Sequence, residues 1–314
     1  MSVAMASVRI GTRSSALALA QAEQVRALLA ARGVTAELTT YTTIGDKVLD
    51  KPLSKIGEKG LFTKELEDDL LAGRTDCAVH SLKDLPTASP EGLTIVALLT
   101  REDPRDALVL PDGSPRYTLM TLPHGARVGS SSLRRKAQLS ALRPDLVPVE
   151  LRGNVGTRLR KIDEHQVDAA FLAAAGLRRL GLGPRIVEYL DAPRWLPAAG
   201  QGAIAIQVRA DDAACVSRFG ALDHAPTSRA VAAERAFLAA LEGGCQVPIG
   251  ALAIGTDHDD LVLHGLIANL AGTRVLRGSE PVGAGDAAEA GRTLAARLHA
   301  QGGAEILAEL RTTA

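Results

Sequence analysis

The beginning of the chain has an apolar run, then a helical period, then an alternating run. Val8–Ile10 is a short apolar stretch typical of a strand. Either Ser14 or Ser15 can cap a helix that extends to about Arg32. Apolar and polar residues alternate over residues 34–38, as they do on a half-buried strand. The pattern predicts a β-α-β unit whose first strand is followed by a serine-containing turn.

The same order of elements recurs later. Arg127–Gly129 is followed by a serine-rich turn, a helix and a strand that ends at Arg152. Both turns share the pattern Gly-[Thr/Ser]-x-Ser, which predicts two similar α/β domains facing each other. The apolar run Ala203–Arg209 is predicted to return to the sheet of the first domain, and such double crossing of the chain is typical of a hinged cleft.

The segment between the two units combines a loop, a helix and a buried strand. Thr42–Gly60 is rich in glycine and lysine and has little periodicity, so we expect a long lid or binding loop. Phe62–Ala72 is predicted to be a helix and Asp76–Val79 a buried strand. Asp84 follows at the far end of that strand.

From about Ala225 the pattern changes to a helix, three strand-like runs and another helix. This order predicts a third, α+β domain with an antiparallel sheet. The predicted domain bounds are 1–102 with 203–222 for the first domain, 106–196 for the second and 225–314 for the third.

The charge balance and the cysteine content argue against several classes of protein. The 314 residues include 36 Lys+Arg and 36 Asp+Glu, so the whole chain has no generic attraction to nucleic acid or anionic membranes. Cys77, Cys215 and Cys245 are widely spaced and odd in number, which argues against a disulfide framework or a zinc site. We expect a reducing, cytoplasmic setting, no metal, and neither a signal peptide nor a membrane span.

Positive charge is concentrated between residues 127 and 161. Nine basic residues stand there against two acidic ones, and several flank small residues at helix starts. Guanidinium groups and helix N-termini together suit carboxylates or phosphates. A solvated basic face and a nucleic-acid surface are the alternatives, but no aromatic residues are interleaved and no phosphate-binding loop motif is present. A small polyanion is the better interpretation.

Asp84 and Cys245 are the candidate reactive groups. Asp84 lies where α/β domains place ligands, and it could stabilise a cation and pass protons; the alternatives are a structural pair with Lys83 or a turn residue before Pro86. Cys245 lies in "LEGGCQVPIG", where two glycines end a helix; taken alone it is a small buried hydrophobe. His80 suits a core or supporting role, and nothing supplies the oxyanion site that a Cys245–His80 hydrolase needs.

Several motifs together resemble the porphobilinogen deaminase (hydroxymethylbilane synthase) family. They run in order from Ile10 to about Ala253 and include "IGTRSSALALAQ", "GEKGLFTKELEDDLLAGRTDCAVHSLKDLPT", "REDPRDALV", "VGSSSLRRKAQL", "LRGNVGTRLRKID", "LPAAGQGAIAIQVR" and "LEGGCQVPIGALA". The combination is specific, although no single motif is. Glu58 and Leu82 depart from the glycine and methionine common at these positions in the family, and Glu58 changes the charge of the predicted lid.

The resemblance implies a fold of two periplasmic-binding-protein-like domains plus a C-terminal domain. It implies a cytoplasmic, monomeric transferase that condenses four porphobilinogen molecules head-to-tail on a covalent dipyrromethane cofactor, one per chain. Hydrolysis then releases 1-hydroxymethylbilane. Nucleic acid and membrane are not expected as partners. A non-catalytic binding protein for a polycarboxylate is the alternative, and it would need neither Asp84 nor Cys245.

The resemblance also implies residue roles. Asp84 matches the catalytic aspartate, and Cys245 matches the cysteine that holds the cofactor through a thioether. The other cofactor-binding positions are Lys83, Ser132, Arg134, Arg135 and Arg158. The substrate-binding positions are Arg13, Ser15, Phe62, Arg152 and Arg179, and the lid positions are Lys55 and Lys59.

Overall fold

The computed structural model describes residues 7–43, 45, 62–241, 247–255 and 260–313. The chain divides into two compact units. Of the described residues, unit 1 comprises 7–43, 45, 62–102 and 203–228; unit 2 comprises 103–202, 229–241, 247–255 and 260–313.

Strands and helices are interspersed over the first two thirds of the chain. The strands are β1 (Val8–Arg13), β2 (Ala36–Tyr41), β3 (Cys77–Ser81), β4 (Leu93–Leu98), β5 (Asp106–Val109), β6 (Arg127–Gly129), β7 (Val147–Val149), β8 (Ala169–Ala173), β9 (Glu188–Leu190), β10 (Ile204–Arg209), β11 (Ile249–Ile254), β12 (Val262–Ala268) and β13 (Val275–Pro281). The α-helices are α1 (Ala16–Ala30), α2 (Lys64–Leu71), α3 (Leu133–Leu142), α4 (Val155–Asp163), α5 (Ala174–Arg179), α6 (Ala213–Gly220), α7 (Ala225–Ala240), α8 (Ala287–Leu298) and α9 (Ala304–Thr313). Short 3-10 turns lie at Leu82–Asp84 and Gly183–Arg185, and a π turn lies at His299–Gly303.

Unit 1 is built on one five-stranded sheet with the order β2-β1-β3-β10-β4. β1 pairs in parallel with β2 and β3, whereas β10 is antiparallel to β3 and β4. The predicted return of the later apolar run to this sheet is therefore confirmed. β3 and β10 lie inside the sheet and are almost entirely buried, which explains why both are rich in apolar residues; His80 and Gln207 are their buried polar exceptions.

The first sheet of unit 2 repeats this topology. Its order is β7-β6-β8-β5-β9, with β6 parallel to β7 and β8, and β5 antiparallel to β8 and β9. In both sheets the second-last strand runs against the parallel strands. The predicted pair of similar α/β domains is confirmed by this match.

The last part of unit 2 is an antiparallel sheet, β11-β12-β13, covered by helices. Phe237 of α7 and Leu294 of α8 are fully buried against it. A Cβ at Gly265 would lie 2.7 Å from the Phe237 ring, so the close approach of helix and sheet requires glycine there. The α+β part and the overall fold class agree with the prediction, and the exact domain bounds stay a prediction.

Candidate functional site

A small cavity of about 50 Å³ lies in unit 1 and brings four of the predicted site residues together. Arg13, Ser15, Phe62 and Asp84 all line it. Its wall is completed by Leu17, Ala18, Gln21, Thr63, Val79, His80 and Ser81.

Two adjacent parallel strands deliver the charged residues to this cavity. Arg13 ends β1, and Asp84 ends the short turn that directly follows β3. Because β1 and β3 are parallel neighbours, their carboxyl ends meet at one edge of the sheet, where α/β proteins bind ligands. Ser15 caps α1 at the same edge, where its hydroxyl accepts from the Ala18 amide at 3.3 Å.

Arg13 links two other residues of the cavity. Its Nη1 lies 4.0 Å from Oδ2 of Asp84, and its guanidinium carbon lies 4.4 Å from the centre of the Phe62 ring. One third of the Asp84 side chain is exposed, against one fifth of the Arg13 side chain. The geometry presents an accessible carboxylate and a cation stacked on an aromatic face, which together suit a ligand carrying both positive and negative charge.

Other polar side chains that line the cavity are buried or half-buried and hydrogen-bonded. Gln21 and Ser81 exchange hydrogen bonds of 2.8 and 3.1 Å, and Nε2 of His80 lies 3.1 Å from Oε1 of Gln207. Burial lowers the pKa of His80 to about 4; the bond to Gln207 opposes this shift and the charge of Arg13 adds to it. His80 is therefore neutral at physiological pH.

Unit 2 contains a second arginine–aspartate arrangement, centred on Asp106. This residue is fully buried at the start of β5, and its carboxylate accepts from four side chains. The donors are Nη1 of Arg134 and Nη2 of Arg135 at 2.7 Å, and Nε1 of Trp195 and Nε2 of Gln201 at 2.8 Å. We call these five residues the Asp106 cluster.

The Asp106 cluster has more positive than negative charge. Burial alone would raise the pKa of Asp106, but the charges of Arg134 and Arg135 outweigh it and hold this pKa well below its usual range. Two guanidinium groups against one carboxylate leave a surplus of one positive charge. In addition, Nε of Arg135 is buried and has no hydrogen-bond partner within the described residues. Such a surplus is costly to bury unless an anion balances it.

Arg134 and Arg135 are predicted to bind the cofactor, and this role stays a prediction. They are 4% and 5% exposed, and several of their N–H groups already donate to other groups of the protein. Nη1 of Arg134 also donates to Leu196 O at 2.6 Å, and Nη1 of Arg135 donates to Phe171 O at 2.9 Å. Sequence reasoning missed Asp106, although an acidic residue at the head of an apolar run was a usable signal.

The remaining predicted residues of unit 2 follow the three parallel strands of its first sheet. Ser132 comes after β6 at the N-cap of α3, without a side-chain capping bond; Arg152 comes after β7. Arg179 ends the helix after β8 and donates to Gly202 O at 2.8 Å. Arg158 lies on α4, and Ser132, Arg152, Arg158 and Arg179 are all half-buried.

Internal ion pairs account for much of the basic stretch between residues 127 and 161. At least six of its nine cations contact a carboxylate: Arg127–Asp168, Arg134–Asp106, Arg135–Asp106, Lys136–Glu150, Arg143–Asp145 and Arg160–Glu164. Much of this positive charge is therefore compensated within the chain.

Some predictions fall outside the described residues. Cys245, Lys55 and Lys59 belong to segments that the structure does not describe, so their predicted roles stay predictions. The flanks of the cysteine segment match the prediction, since α7 ends before it and β11 begins after it. Lys83 lies on the turn beside Asp84 and is half-buried.

The described residues contain neither a cluster of metal ligands nor a helix that could span a membrane. No three histidine, cysteine, aspartate or glutamate side chains there are grouped so that they could hold a metal ion. No helix in that part of the chain is long and apolar enough to cross a bilayer.

Comparison with known proteins gives full-length matches. The family model described as "Porphobilinogen deaminase, dipyromethane cofactor binding domain" matches residues 8–217, and "Porphobilinogen deaminase, C-terminal domain" matches residues 228–300. The porphobilinogen deaminase of Moorella thermoacetica is 52% identical over 98% of this chain and 97% of its own length. That of Desulfitobacterium hafniense is 51% identical over 98% and 99%.

The similarity to solved structures is weaker than the similarity to these sequence relatives. A periplasmic substrate-binding protein of an ABC transporter from Coxiella burnetii is 15% identical, with 73% of this chain and 96% of that chain covered and a TM-score of 0.43. The sheet topology and the family matches together define an enzyme with an α/β cofactor-binding part and a separate C-terminal domain. The chain belongs to the porphobilinogen deaminase family, whose cofactor is a dipyrromethane.

Proposed function

We propose that the chain condenses four porphobilinogen molecules head-to-tail on a dipyrromethane primer and releases 1-hydroxymethylbilane, with Asp84 as its catalytic residue. The observation that carries this proposal is the cavity in which Asp84, Arg13, Ser15 and Phe62 meet. The reaction serves tetrapyrrole biosynthesis, in agreement with the family.

Asp84 stabilises positive charge in this proposal. Porphobilinogen loses ammonia to give a cationic methylene-pyrrolenine, and a fixed carboxylate beside that cation lowers the barrier to its formation. The accessible third of the Asp84 side chain can also accept pyrrole N–H hydrogen bonds and receive the proton lost after carbon–carbon bond formation. Arg13, held on Phe62 at 4.4 Å, binds a substrate carboxylate beside it.

The chemistry of the Asp106 cluster fits a cofactor that carries carboxylates. The surplus positive charge and the buried Nε of Arg135 both call for an anionic acceptor. We infer that Arg134 and Arg135, with Lys83, Ser132 and Arg158, hold the dipyrromethane and that Cys245 anchors it as a thioether. When bound, this group supplies the pyrrole carbon nucleophile that starts the chain.

The substrate-binding roles follow from the carboxylates of porphobilinogen. Each pyrrole carries an acetate and a propionate, so cationic and hydroxyl side chains are the appropriate partners. We assign this role to Arg13, Ser15, Arg152 and Arg179, with Phe62 supporting Arg13. Lys55 and Lys59 are assigned to the lid.

The intact mass of the purified protein, measured beside Cys245→Ser, tests the proposal. We expect the wild-type chain to be heavier than its sequence by two porphobilinogen units less two ammonias, and the variant to have its sequence mass. If the wild type is unmodified, porphobilinogen or 1-hydroxymethylbilane should add this mass. A wild-type chain that stays unmodified would contradict the proposal and favour a polycarboxylate-binding protein.

We also infer a cytoplasmic monomer that binds neither nucleic acid nor membrane. Cys77 and Cys215 are free, buried thiols, which supports a reducing compartment. The internal pairing of the basic stretch argues against a nucleic-acid surface. Light scattering at several protein concentrations tests the oligomeric state, and retention on immobilised DNA at physiological salt would contradict the last point.

A further inference from the structure

A chain of buried hydrogen bonds begins and ends at the wall of the Asp84 cavity. Thr63 Oγ1 donates to Oε2 of Glu67 at 3.0 Å, and Oε1 of Glu67 accepts from Nε2 of Gln207 at 3.1 Å. Oε1 of Gln207 then lies 3.1 Å from Nε2 of His80. Thr63 and His80 both line the cavity, whereas Glu67 and Gln207 lie behind it.

The four residues are buried and come from three separate elements. Their exposures are 2%, 7%, 1% and 5% for Thr63, Glu67, Gln207 and His80, respectively. Glu67 lies on α2, Gln207 on β10 and His80 on β3. Burying four polar side chains costs free energy unless each of them is hydrogen-bonded. A fully hydrogen-bonded network fixes the orientation of its members.

This chain of hydrogen bonds determines which ring nitrogen of His80 carries the proton. The Glu67 carboxylate accepts at both oxygens, so the amide nitrogen of Gln207 must face it. The amide oxygen of Gln207 therefore faces His80, and Nε2 of His80 must be the donor. With the ring neutral, Nδ1 carries a lone pair and no proton. Among the described residues, the bond to Gln207 is the only hydrogen bond of this imidazole.

We propose that the Thr63–Glu67–Gln207–His80 chain fixes His80 as the Nε2–H tautomer, so that Nδ1 accepts a hydrogen bond from a pyrrole N–H in the Asp84 cavity. This inference rests on the proposed function, in which the ligands of the cavity are pyrroles. His80 is then a ligand-positioning acceptor, and Glu67 and Gln207 are positioning residues that act through it. Because the neutral imidazole is a poor base here, it orients the N–H without removing its proton.

The first test is the tautomer of His80 in the wild-type protein at pH 7. Long-range ¹H–¹⁵N correlation spectra distinguish the two nitrogens of each of the seven histidines, and the His80 signals are assigned with His80→Asn. We expect a protonated Nε2 and a bare Nδ1. An Nδ1–H tautomer or an imidazolium would overturn the proposal, and this readout needs no activity.

Substitutions of residues in this hydrogen-bond chain give the second test. Gln207→Met removes the acceptor of Nε2–H, so we expect a mixture of tautomers and about a two- to tenfold loss of kcat/KM. Glu67→Gln keeps an acceptor for Gln207 and a polar partner for Thr63, so the Nε2–H tautomer should persist. Gln138→Met, the same exchange at a fully buried glutamine of unit 2, is the control and should leave the His80 tautomer unchanged.

The third test identifies the source of the N–H group. The probe is a pyrrole with acetate and propionate groups but no aminomethyl group, added to wild type and to Cys245→Ser. A shift of the Nδ1 resonance on adding the probe to either protein indicates a bond to free pyrrole. A difference between the two proteins before addition indicates a bond to the cofactor. Absence of both effects, while the wild type turns over porphobilinogen, would overturn this inference and leave the proposed function standing.

Discussion

Asp84 and Asp106 occupy equivalent edges of two similar sheets, yet their surroundings are opposite. Asp84 follows a parallel strand of unit 1, is one third exposed and has Arg13 at 4.0 Å. Asp106 starts an antiparallel strand of unit 2, at the edge where the parallel strands end, and is fully buried under four side-chain donors.

The difference shows what each carboxylate can do. Asp106 has its oxygens occupied by Arg134, Arg135, Trp195 and Gln201, so it can organise cations but cannot serve a ligand directly. The Asp84 side chain is one third exposed, so its carboxylate remains within reach of a ligand. The same residue type, at the same edge of two similar sheets but on strands that are not equivalent, is thus structural in one unit and, as we propose, catalytic in the other.

The largest effect is expected from Asp106→Asn, measured by urea unfolding. The substitution leaves two buried guanidinium groups without a counter-charge, so the free energy of unfolding should fall by about 3–5 kcal/mol. Glu164→Gln, which breaks the exposed pair with Arg160, is the control and should change stability little. Equal losses in the two variants would contradict the structural role of Asp106.

A slightly smaller effect is expected in the pH dependence of the free energy of unfolding, through the buried His80. His80 has an ordinary pKa of 6.5 when unfolded and about 4 when folded, so between these values the unfolded chain binds a proton that the folded chain excludes. Stability from this source is therefore present above pH 6.5 and lost as the pH falls toward 4, by an amount on the order of 3 kcal/mol. Urea unfolding at pH 7 and 4.5 should show a smaller pH effect in His80→Gln than in wild type. The same pH dependence in both proteins would refute the assignment.

The smallest effect is expected at the aromatic support of Arg13. Phe62→Leu removes a cation–π contact of about 0.5–1 kcal/mol, so KM for porphobilinogen should rise about two- to fivefold. Tyr189→Leu removes the equivalent contact to Arg105, at 4.2 Å, in unit 2 and should leave KM unchanged. Steady-state kinetics of the two variants decides whether the Phe62 contact serves the substrate.

Much of the fold could be predicted because its strands differ clearly from its helices in period. The serine turns, the returning strand β10 and the three antiparallel strands were all readable from the sequence. β5 and β8 were not identified, because short apolar runs such as "DALV" and "AAFLA" fit a strand or a buried helix equally well.

Sequence motifs predicted the site residues that they contain, but not the residues that join the site from other parts of the chain. Arg13, Ser15, Phe62 and Asp84 were named from the sequence and meet in one cavity. Asp106 and the Gln207–Glu67 link were missed because their partners are far apart in the chain: Gln207 and Glu67 are 140 residues apart. Long-range polar pairing leaves no local periodicity from which it could be read.

Intact mass spectrometry of Asp84→Asn and Arg135→Gln, before and after addition of porphobilinogen, tests the division of roles most directly. Arg135→Gln leaves Asp106 paired with Arg134, so the fold should persist. We predict that Asp84→Asn carries the primer mass but gains no further pyrrole units, and that Arg135→Gln lacks the primer. Elongation at the wild-type rate in Asp84→Asn, or a full primer load in Arg135→Gln, would contradict the account.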